Sequence, residues 1–289
     1  MKTLPGIQLF LFLVVLVSCQ SARQSGNLKT PENPERRLNF FLANSMHQEA
    51  AWEYYKAGNA AAARNVLREL EEILKSSPVG FEESDFGAGK PVFATFEQGV
   101  KGVFKGETWI EDSGVEREVA AFRLDTLLGF YLTPLTTWRE LEVPGRGKNN
   151  GSIQYFVKNT KMALFADSLE KEGADLVMLD KIRLFDAITG NNDRHRGNGL
   201  LRDTGEIAAI DHNRTFIYDS TDFSFWEKEI RDIEKPAVVR EIFERYQEMP
   251  EERFQETLHG LLTEDEFELF FSARREIIKK LTARFNDDE

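Results

Sequence analysis

The segment Thr189-Gly-Asn-Asn-Asp193-Arg-His-Arg-Gly-Asn198-Gly-Leu-Leu201 is a polar, glycine-containing loop within a part of the chain that otherwise has helical periodicity. The apolar residues that end it and those at 207–210 flank the turn-forming residues 203–205, a pattern that predicts a β-hairpin. Asn198 and Asp211 stand at the two open ends of this hairpin, where antiparallel pairing would bring them close together.

The polar side chains of this loop suit a site for a divalent cation and a phosphate. Mg²⁺ prefers oxygen ligands and is usually held by one or two protein groups together with the phosphates of a substrate. Asn198 and Asp211 offer such oxygens. Asp193, five positions before Asn198, offers a carboxylate that can accept a proton from a substrate hydroxyl. Taken alone, the charged run 193–196 is more typical of a solvated salt-bridge cluster.

Two charged residues upstream favour the catalytic interpretation. Lys105 ends a predicted strand at 100–105. The two apolar residues before it, Val103-Phe104, indicate that this strand is buried. Glu118 lies in the first turn of a predicted helix at 116–128. A lysine at a strand end, oriented by a helical glutamate, is the arrangement that binds nucleotide phosphates in kinases. The chain therefore carries a phosphate-binding cation, its carboxylate partner, a candidate base and metal ligands in that order.

With these residues in place, the sequence resembles the secretory-pathway kinases of the Golgi casein kinase and four-jointed type. More distantly it resembles the HipA-type and phosphoinositide kinases. The similarity extends over about residues 87 to 285. The blocks that carry it are Val103-Phe104-Lys105, Glu118-Val-Ala-Ala-Phe-Arg-Leu-Asp-Thr-Leu-Leu-Gly129 with Pro134, Phe185-Asp-Ala-Ile-Thr-Gly-Asn-Asn-Asp193-Arg-His195, and Ile210-Asp211-His212.

The resemblance implies an α+β, two-lobed protein-kinase-like fold that binds ATP with Mg²⁺ or Mn²⁺. Carried over position by position, Lys105 would bind the phosphates and Glu118 would pair with it. Asp193 would be the catalytic base, and Asp211 would hold the metal. Asn198 matches the metal-binding asparagine of ordinary protein kinases.

Other positions follow from the order of the blocks or depart from it. Gln154 and Phe156 fall where the hinge between the lobes would line the adenine. His212-Asn213 replaces the Phe-Gly or Asn-Gly that commonly follows the metal-binding aspartate. Scattered glycines replace a G-x-G-x-x-G before Lys105. Neither departure removes a reacting group.

The beginning of the chain has the pattern of an export signal. Lys2 is followed by an apolar run from Ile7 to Val17, which is too short for a mature membrane span but suits a signal sequence. The segment Leu16-Val17-Ser18-Cys19 resembles the lipobox of bacterial lipoproteins, and Cys19 is the only cysteine in the chain. We therefore expect export and lipid attachment at Cys19. Gln20 favours the outer membrane, on its periplasmic or surface side.

Changes in residue composition and hydrophobic periodicity divide the rest of the chain into a tether, a helical part and two lobes. The helical part resembles a single tetratricopeptide unit, which cannot bury its own face and is expected to pack on the next domain. The predicted boundaries are 1–18 (signal), 19–37 (flexible tether), 38–78 (helical hairpin), 79–158 (strand-rich N lobe, with strands at 92–96, 100–105 and 152–157) and 159–289 (helical C lobe).

Composition narrows the function classes. The 289 residues are 41% hydrophobic, with 23 Phe and 4 Trp, which excludes a collagenous or low-complexity chain. A net charge of -12 without a basic patch disfavours nucleic acid as a partner. A zinc hydrolase built on His195 and His212 is also disfavoured, because no second cysteine and no i, i+4 histidine pair is present.

The sequence thus predicts a lipid-anchored kinase that transfers the ATP γ-phosphoryl group to a hydroxyl of a protein or glycan. Two alternatives stay open. The same fold can transfer a nucleotidyl group with ATP bound in the reverse direction. The chain can also be an inactive nucleotide-binding or scaffolding lipoprotein, since the outside of a bacterial cell lacks a steady supply of ATP.

Overall fold

The computed structural model describes residues 30, 33–84, 90–109, 113–162, 175–202, 204–218, 224–234 and 236–286. The predicted signal, Cys19, Gly87 and Gly89 lie outside these ranges. The helices are α1 (Pro34–Ala43), α2 (His47–Lys56), α3 (Ala60–Lys75), α4 (Val115–Leu128), α5 (Leu176–Thr189), α6 (Ser224–Arg231), α7 (Pro236–Glu248), α8 (Glu251–Leu258) and α9 (Glu264–Asn286). The strands are β1 (Gly80–Glu83), β2 (Val92–Thr95), β3 (Lys101–Gly106), β4 (Thr136–Val143), β5 (Gly147–Tyr155), β6 (Thr160–Met162), β7 (Gly199–Arg202) and β8 (Ile207–Ala209).

The first five strands form one antiparallel sheet in the order β1-β2-β3-β5-β4. Burial alternates along the central strand β3, because successive side chains of a strand point to opposite faces. Gly102 and Phe104 face the N-terminal helices, and a Cβ on Gly102 would lie 3.2 Å from Leu74 of α3. Val103 and Lys105 therefore lie on the other face, which is open to the second lobe.

The observed sheet differs from the prediction in the bounds of one strand and contains two further strands. The strand predicted at 152–157 begins earlier and ends at Tyr155, because residues 147–151 pair with β4 through their backbones. Sequence periodicity missed this part since it contains two glycines and three polar residues and carries no alternating apolar pattern. Strands β1 and β4 were not predicted. β1 is a short edge strand, and β4 has several charged residues on its exposed positions.

Three helices, rather than a two-helix hairpin, precede the sheet. α1 begins at Pro34, within the segment predicted as a tether, and the Asn33 side chain caps it by accepting from Arg36 N at 3.0 Å. The apolar face of α3 packs into the same hydrophobic cluster as Phe104 and Tyr155 of the sheet. As expected for a unit that cannot bury its own face, the helices are covered by the next domain.

The second half of the chain is helical, apart from the three-stranded sheet β6-β7-β8. A capping box opens α9: Thr263 Oγ1 accepts from Glu266 N at 3.2 Å, and Glu266 Oε2 accepts from Thr263 N at 2.8 Å. The aromatic core of this half includes Phe185, Phe216, Tyr246, Phe254 and Phe270. Throughout the described ranges, every helix is too short or too polar to cross a lipid bilayer.

A close backbone approach beside Lys105 gives a testable packing prediction. Gly151 of β5 lies opposite Gly106, and a Cβ on Gly151 would stand 2.0 Å from the Lys105 carbonyl oxygen. We expect Gly151→Ala to lower the free energy of unfolding by about 1–3 kcal/mol, because backbone has to shift. Urea denaturation measures this. Gly80→Ala is the matched control, since nothing lies within 4 Å of its added Cβ. Equal stability of the two variants would contradict the prediction.

Candidate active site

Lys105 is the centre of a charged cluster that joins the two lobes. Its Nζ donates to Glu118, in the first turn of α4, and lies 2.7 Å from Asp211 Oδ1, which is 106 positions away in the sequence. The Glu118 side chain is only 2% exposed, whereas those of Lys105 and Asp211 are 28% and 38% exposed. Lys105 and Glu118 therefore form a shielded pair, and Asp211 faces the opening between the lobes.

The charges in this cluster shift the pKa of each member. Burial by itself lowers the pKa of Lys105, but Glu118 and Asp211 more than offset this and raise it above its ordinary value. Burial also favours a higher pKa for Asp211, yet Lys105 holds it below its usual value. Burial raises the pKa of Glu118 more than Lys105 lowers it. Lys105 is thus a permanent cation, and Asp211 is ionised at neutral pH.

The start of α4 is docked on the segment that follows Asp211. A Cβ on Gly114 would stand 2.3 Å from the Asn213 carbonyl oxygen, and Gly114 has a left-handed φ of 60°. Arg117 Nη1 donates to the same Asn213 oxygen at 3.4 Å. Asp211 also has a left-handed φ of 60°, which turns the chain toward Lys105. The unusual His212-Asn213 sequence thus serves as a docking point for the helix that carries Glu118.

The loop before β7 holds Asp193 through its backbone. Asp193 N donates to Asn191 Oδ1 at 3.1 Å, and Asp193 O accepts from Asn198 Nδ2 at 3.0 Å. The Asp193 side chain is exposed, and Asn198 is buried. Within the described ranges, Asn198 Oδ1 receives no hydrogen bond. The loop therefore exposes the carboxylate of Asp193 to solvent and leaves Asn198 Oδ1, in its interior, free of hydrogen bonds from the described residues and able to bind a cation.

The predicted hairpin brings Asn198 next to Asp211. Gly199 of β7 pairs with Ala209 of β8, and beyond this pair Ile210 N donates to Asn198 O at 3.1 Å. The candidate metal ligands from the two ends of the hairpin are therefore neighbours, as the sequence predicted.

Arg194 is the functional residue that sequence reasoning missed. Its guanidinium binds both carboxylate oxygens of Asp186, Nε at 2.8 Å and Nη2 at 3.0 Å. Its Nη1 also donates to the carbonyl oxygens of Asn198, at 2.6 Å, and Ile210, at 3.0 Å. One side chain therefore ties α5, the Asp193 loop and the hairpin together. The charged run around it suggested a solvated cluster, and only burial distinguishes the two.

His212 is part of the same brace and is not a metal ligand. Arg194 Nη2 lies 3.3 Å from His212 Nδ1, and His212 Nε2 lies 3.2 Å from the Ala209 carbonyl oxygen. Arginine can only donate and a carbonyl can only accept, so the neutral tautomer with its proton on Nε2 fits both contacts. Complete burial, and then the Arg194 charge, hold the pKa of His212 well below its ordinary value. Both ring nitrogens are occupied, which argues against the zinc alternative.

The face of the sheet beside Lys105 carries the partly buried apolar side chains Phe93, Val103 and Phe156, a surface that we call the apolar slot. Phe93 lies opposite Val103 in the β2–β3 pair, Gln154 lies opposite Val103 in the β3–β5 pair, and the Phe93 and Phe156 rings contact edge to face at 5.7 Å. Phe93, Val103 and Phe156 are only partly buried, unlike residues on the other face. The predicted adenine-lining residues Gln154 and Phe156 thus lie on the Lys105 face.

The donor set fits a nucleotide-bound cation better than a metal centre built by the protein alone. No group of three or more His, Cys, Asp or Glu side chains in the described part of the chain is arranged to hold an ion. Asp211 and Asn198 offer two oxygen donors on adjacent strand ends. Mg²⁺ and Mn²⁺ accept such a small protein set when phosphates complete the coordination.

Buried Asp125 supports the segment 129–135 that follows α4. Its raised pKa makes the free energy of unfolding depend on pH. Its carboxylate accepts from Leu132 N at 2.9 Å and Thr133 N at 3.3 Å, and burial raises its pKa to about 7. The folded protein therefore holds a proton that the unfolded chain has released, and stability falls as pH rises from about 4 to about 7. We expect Asp125→Asn to remove on the order of 2 kcal/mol of the loss between pH 5 and pH 8.

Urea denaturation of both proteins at pH 5 and pH 8 measures this difference. The exposed Asp265→Asn variant is the control, since it makes the same chemical change without altering a buried carboxyl. If the wild type and Asp125→Asn lost stability equally over this range, Asp125 would not be the titrating group.

Comparison with solved structures finds kinase folds. The crystal structure of the Golgi casein kinase with Mn/ADP bound matches with a TM-score of 0.57 and 16% identity, over 75% of this chain and 76% of that chain. Another Golgi casein kinase structure matches with a TM-score of 0.56 and 15% identity, over 76% and 77%. The structure of hydra Fam20 with sugar matches with a TM-score of 0.54 and 14% identity, over 78% and 91%. Scans of the sequence against protein-family models and curated proteins find no match.

At these identities the similarity establishes the fold. The chain has the two-lobed kinase-like fold of the Golgi casein kinase, with a five-stranded antiparallel sheet and a helical C-terminal part. The predicted fold class, and the resemblance on which it rested, are confirmed at this level.

Proposed function

We propose that this protein is an ATP-dependent phosphotransferase that transfers the γ-phosphoryl group to a hydroxyl. The observation that carries the proposal is the position of Lys105, which binds buried Glu118 on one lobe and Asp211 on the other. A surface ion pair has no need of a partner as buried as Glu118, and the Lys105 side chain is still 28% exposed. The two carboxylates exceed the single lysine charge, so the cluster suits a divalent cation together with the phosphates of a nucleotide, whose charge Lys105 would neutralise.

The proposal assigns a role to each of these side chains. Lys105, oriented by Glu118, binds the phosphates and neutralises their charge. Asp211 and Asn198 hold the cation, Mg²⁺ or Mn²⁺, which when bound supplies further charge neutralisation at the transferred group. Asp193, whose side chain is exposed, would orient the acceptor hydroxyl and accept its proton. The apolar slot formed by Phe93, Val103 and Phe156 receives the base.

The nature of the acceptor is supported by similarity alone. The structural neighbours are described as a casein kinase and as a Fam20 protein with sugar, which points to a protein or glycan hydroxyl. The nucleotide and Mn²⁺ described for one of them support ATP with a divalent cation as the ligand of this chain. Nucleotidyl transfer and inactive nucleotide binding use the same groups and are the alternatives to be separated by experiment.

Labelled ATP separates these three activities. The purified chain is incubated with γ-labelled or α-labelled ATP and Mg²⁺ or Mn²⁺, with casein and a glycan as acceptors. We expect transfer of the γ label alone. Transfer of the α label would mean nucleotidyl transfer. Nucleotide binding without transfer of either label would mean a binding or scaffolding protein.

We also propose that the protein is exported and attached to the bacterial envelope through an acyl group on Cys19. The support is the segment Leu16-Val17-Ser18-Cys19, together with the absence of any other cysteine from the sequence. Cys19→Ser is expected to move the protein from the membrane fraction to the soluble fraction. Immunoblots of fractionated cells measure the change, and Ser18→Ala is a neighbouring control that keeps the thiol. Unchanged fractionation of Cys19→Ser would refute the anchor.

A further inference from the structure

Gln154 lies on the face of the sheet that carries the apolar slot. It lies opposite Val103, while its neighbour along the same face, Ser152, lies opposite Lys105. Gln154 therefore stands between the phosphate end of the face and Phe156 at the hinge end. The Gln154 residue is 8% exposed, whereas Val103 and Phe156 are half-buried. Any base that enters between the apolar side chains would meet the Gln154 amide at its inner edge.

The hydrogen bonds around Gln154 fix which end of its amide faces the slot. Thr136 Oγ1 donates its single proton to the Pro134 carbonyl oxygen at 2.9 Å, because a carbonyl can only accept. Thr136 Oγ1 can then only accept a further bond, and Gln154 Nε2 lies 2.9 Å from it. The amide nitrogen is therefore directed to Thr136, and Oε1 points away from it.

Gln154 Oε1 has no partner among the described residues, although the residue is more than nine-tenths buried. In the described part of the chain, Oε1 is not one of the fully buried side-chain atoms that lack a partner, so it is the part of Gln154 that water or a ligand can reach. A ligand that donates to it replaces that water. A polar site of this kind discriminates strongly, because a ligand that offers an acceptor instead leaves both groups unpaired and repelling.

We propose that Gln154, oriented by Thr136, is the residue that selects the base, by accepting a hydrogen bond from the 6-amino group of adenine. Adenine nucleotides would then bind in preference to 6-oxopurine nucleotides, which present an oxygen at that position. This inference rests on the proposed function, since it requires that the slot binds a nucleotide base. A purely structural role, tying β4 to β5, would affect stability but would not distinguish between bases.

The test compares ATP with ITP, which carries a carbonyl oxygen in place of the 6-amino group. Dissociation constants are measured by isothermal titration calorimetry with the full chain and Mg²⁺. We expect the wild type to prefer ATP by at least about tenfold, and Gln154→Met to lose most of this preference. Thr136→Val frees the amide to rotate, and we expect the preference to fall several-fold.

Thr137→Val is the matched control. Thr137 is the next residue of β4, lies opposite Ile153, and donates from Oγ1 to Glu71 at 3.1 Å on the other side of the sheet. This variant should keep the wild-type ratio. Circular dichroism shows which variants are folded. If Gln154→Met does not fold, the result for Thr136→Val decides the test.

The results separate this inference from the proposed function. Equal affinity for ATP and ITP in the wild type, or an unchanged ratio in folded Gln154→Met or Thr136→Val, would overturn the role of Gln154. Failure of the wild type to bind either nucleotide would overturn both proposals. If the protein prefers ATP over ITP but transfers no phosphoryl group, the proposed reaction is contradicted and the role of Gln154 is supported.

Discussion

Asp193→Ala is expected to lower the rate of phosphoryl transfer by about 10²–10⁴-fold, the usual contribution of a general base, while nucleotide binding stays close to that of the wild type. The two parts of this result have separate causes. The lost carboxylate is the group that orients the acceptor hydroxyl. The loop itself is held by backbone contacts of Asp193 with Asn191 and Asn198, which the substitution retains.

Single-turnover transfer of the γ label and calorimetric titration with ATP measure the two parts. Asp265→Ala, another exposed aspartate, lies in the first turn of α9 and is the control for loss of a surface charge. An active Asp193→Ala protein would remove Asp193 from the mechanism. A variant that does not fold would instead indicate that its carboxylate supports the loop.

Arg194→Met is expected to lower the free energy of unfolding by about 3–5 kcal/mol, because it leaves the fully buried carboxylate of Asp186 without its counter-charge. It also removes the donors to the carbonyl oxygens of Asn198 and Ile210, which hold the Asp193 loop against the hairpin. Transfer activity should fall in the fraction that remains folded, since Asn198 and Asp211 lose their common brace.

Urea denaturation measures the stability of this variant. Arg253→Met is the control, because Arg253 pairs with Glu256 at an exposed position where such pairs contribute little. The double variant Arg194→Met/Asp186→Leu should recover part of the loss, since no unpaired charge stays buried. A loss in Arg194→Met no larger than in Arg253→Met would contradict the bracing role.

The groups proposed for the reaction can be identified from the amino-acid sequence, because each belongs to a local pattern. Lys105 ends an apolar strand, Glu118 opens a helix, and Asn198 and Asp211 flank a turn with clear hairpin chemistry. The two-lobed fold was predicted from the resemblance of these patterns to the secretory-pathway kinases. Short-range periodicity indicates the individual elements, since the burial of strands and helices repeats every two or about every four residues.

Elements without such a signal could be located only in the folded chain. β1 is an edge strand, and the first half of β5 is polar, so their pairing depends on backbone hydrogen bonds that any side chain permits. The N-terminal helices form three segments that dock on both lobes. Gln48 accepts from Leu135 N at 2.7 Å in the N lobe, and Lys56 forms a salt bridge with Glu206 of the C lobe.

By itself the sequence determined which side chains are present for chemistry, and it indicated the elements that carry them. Tertiary structure alone decided that Lys105 pairs with Asp211 across the lobes, that Arg194 is a buried brace and that the Gln154 amide has one orientation. The physical reason is that each of these depends on desolvation and on donors brought from distant positions. Charge and hydrogen-bonding capacity are properties of a residue, but the partner that satisfies them is a property of the packed interior.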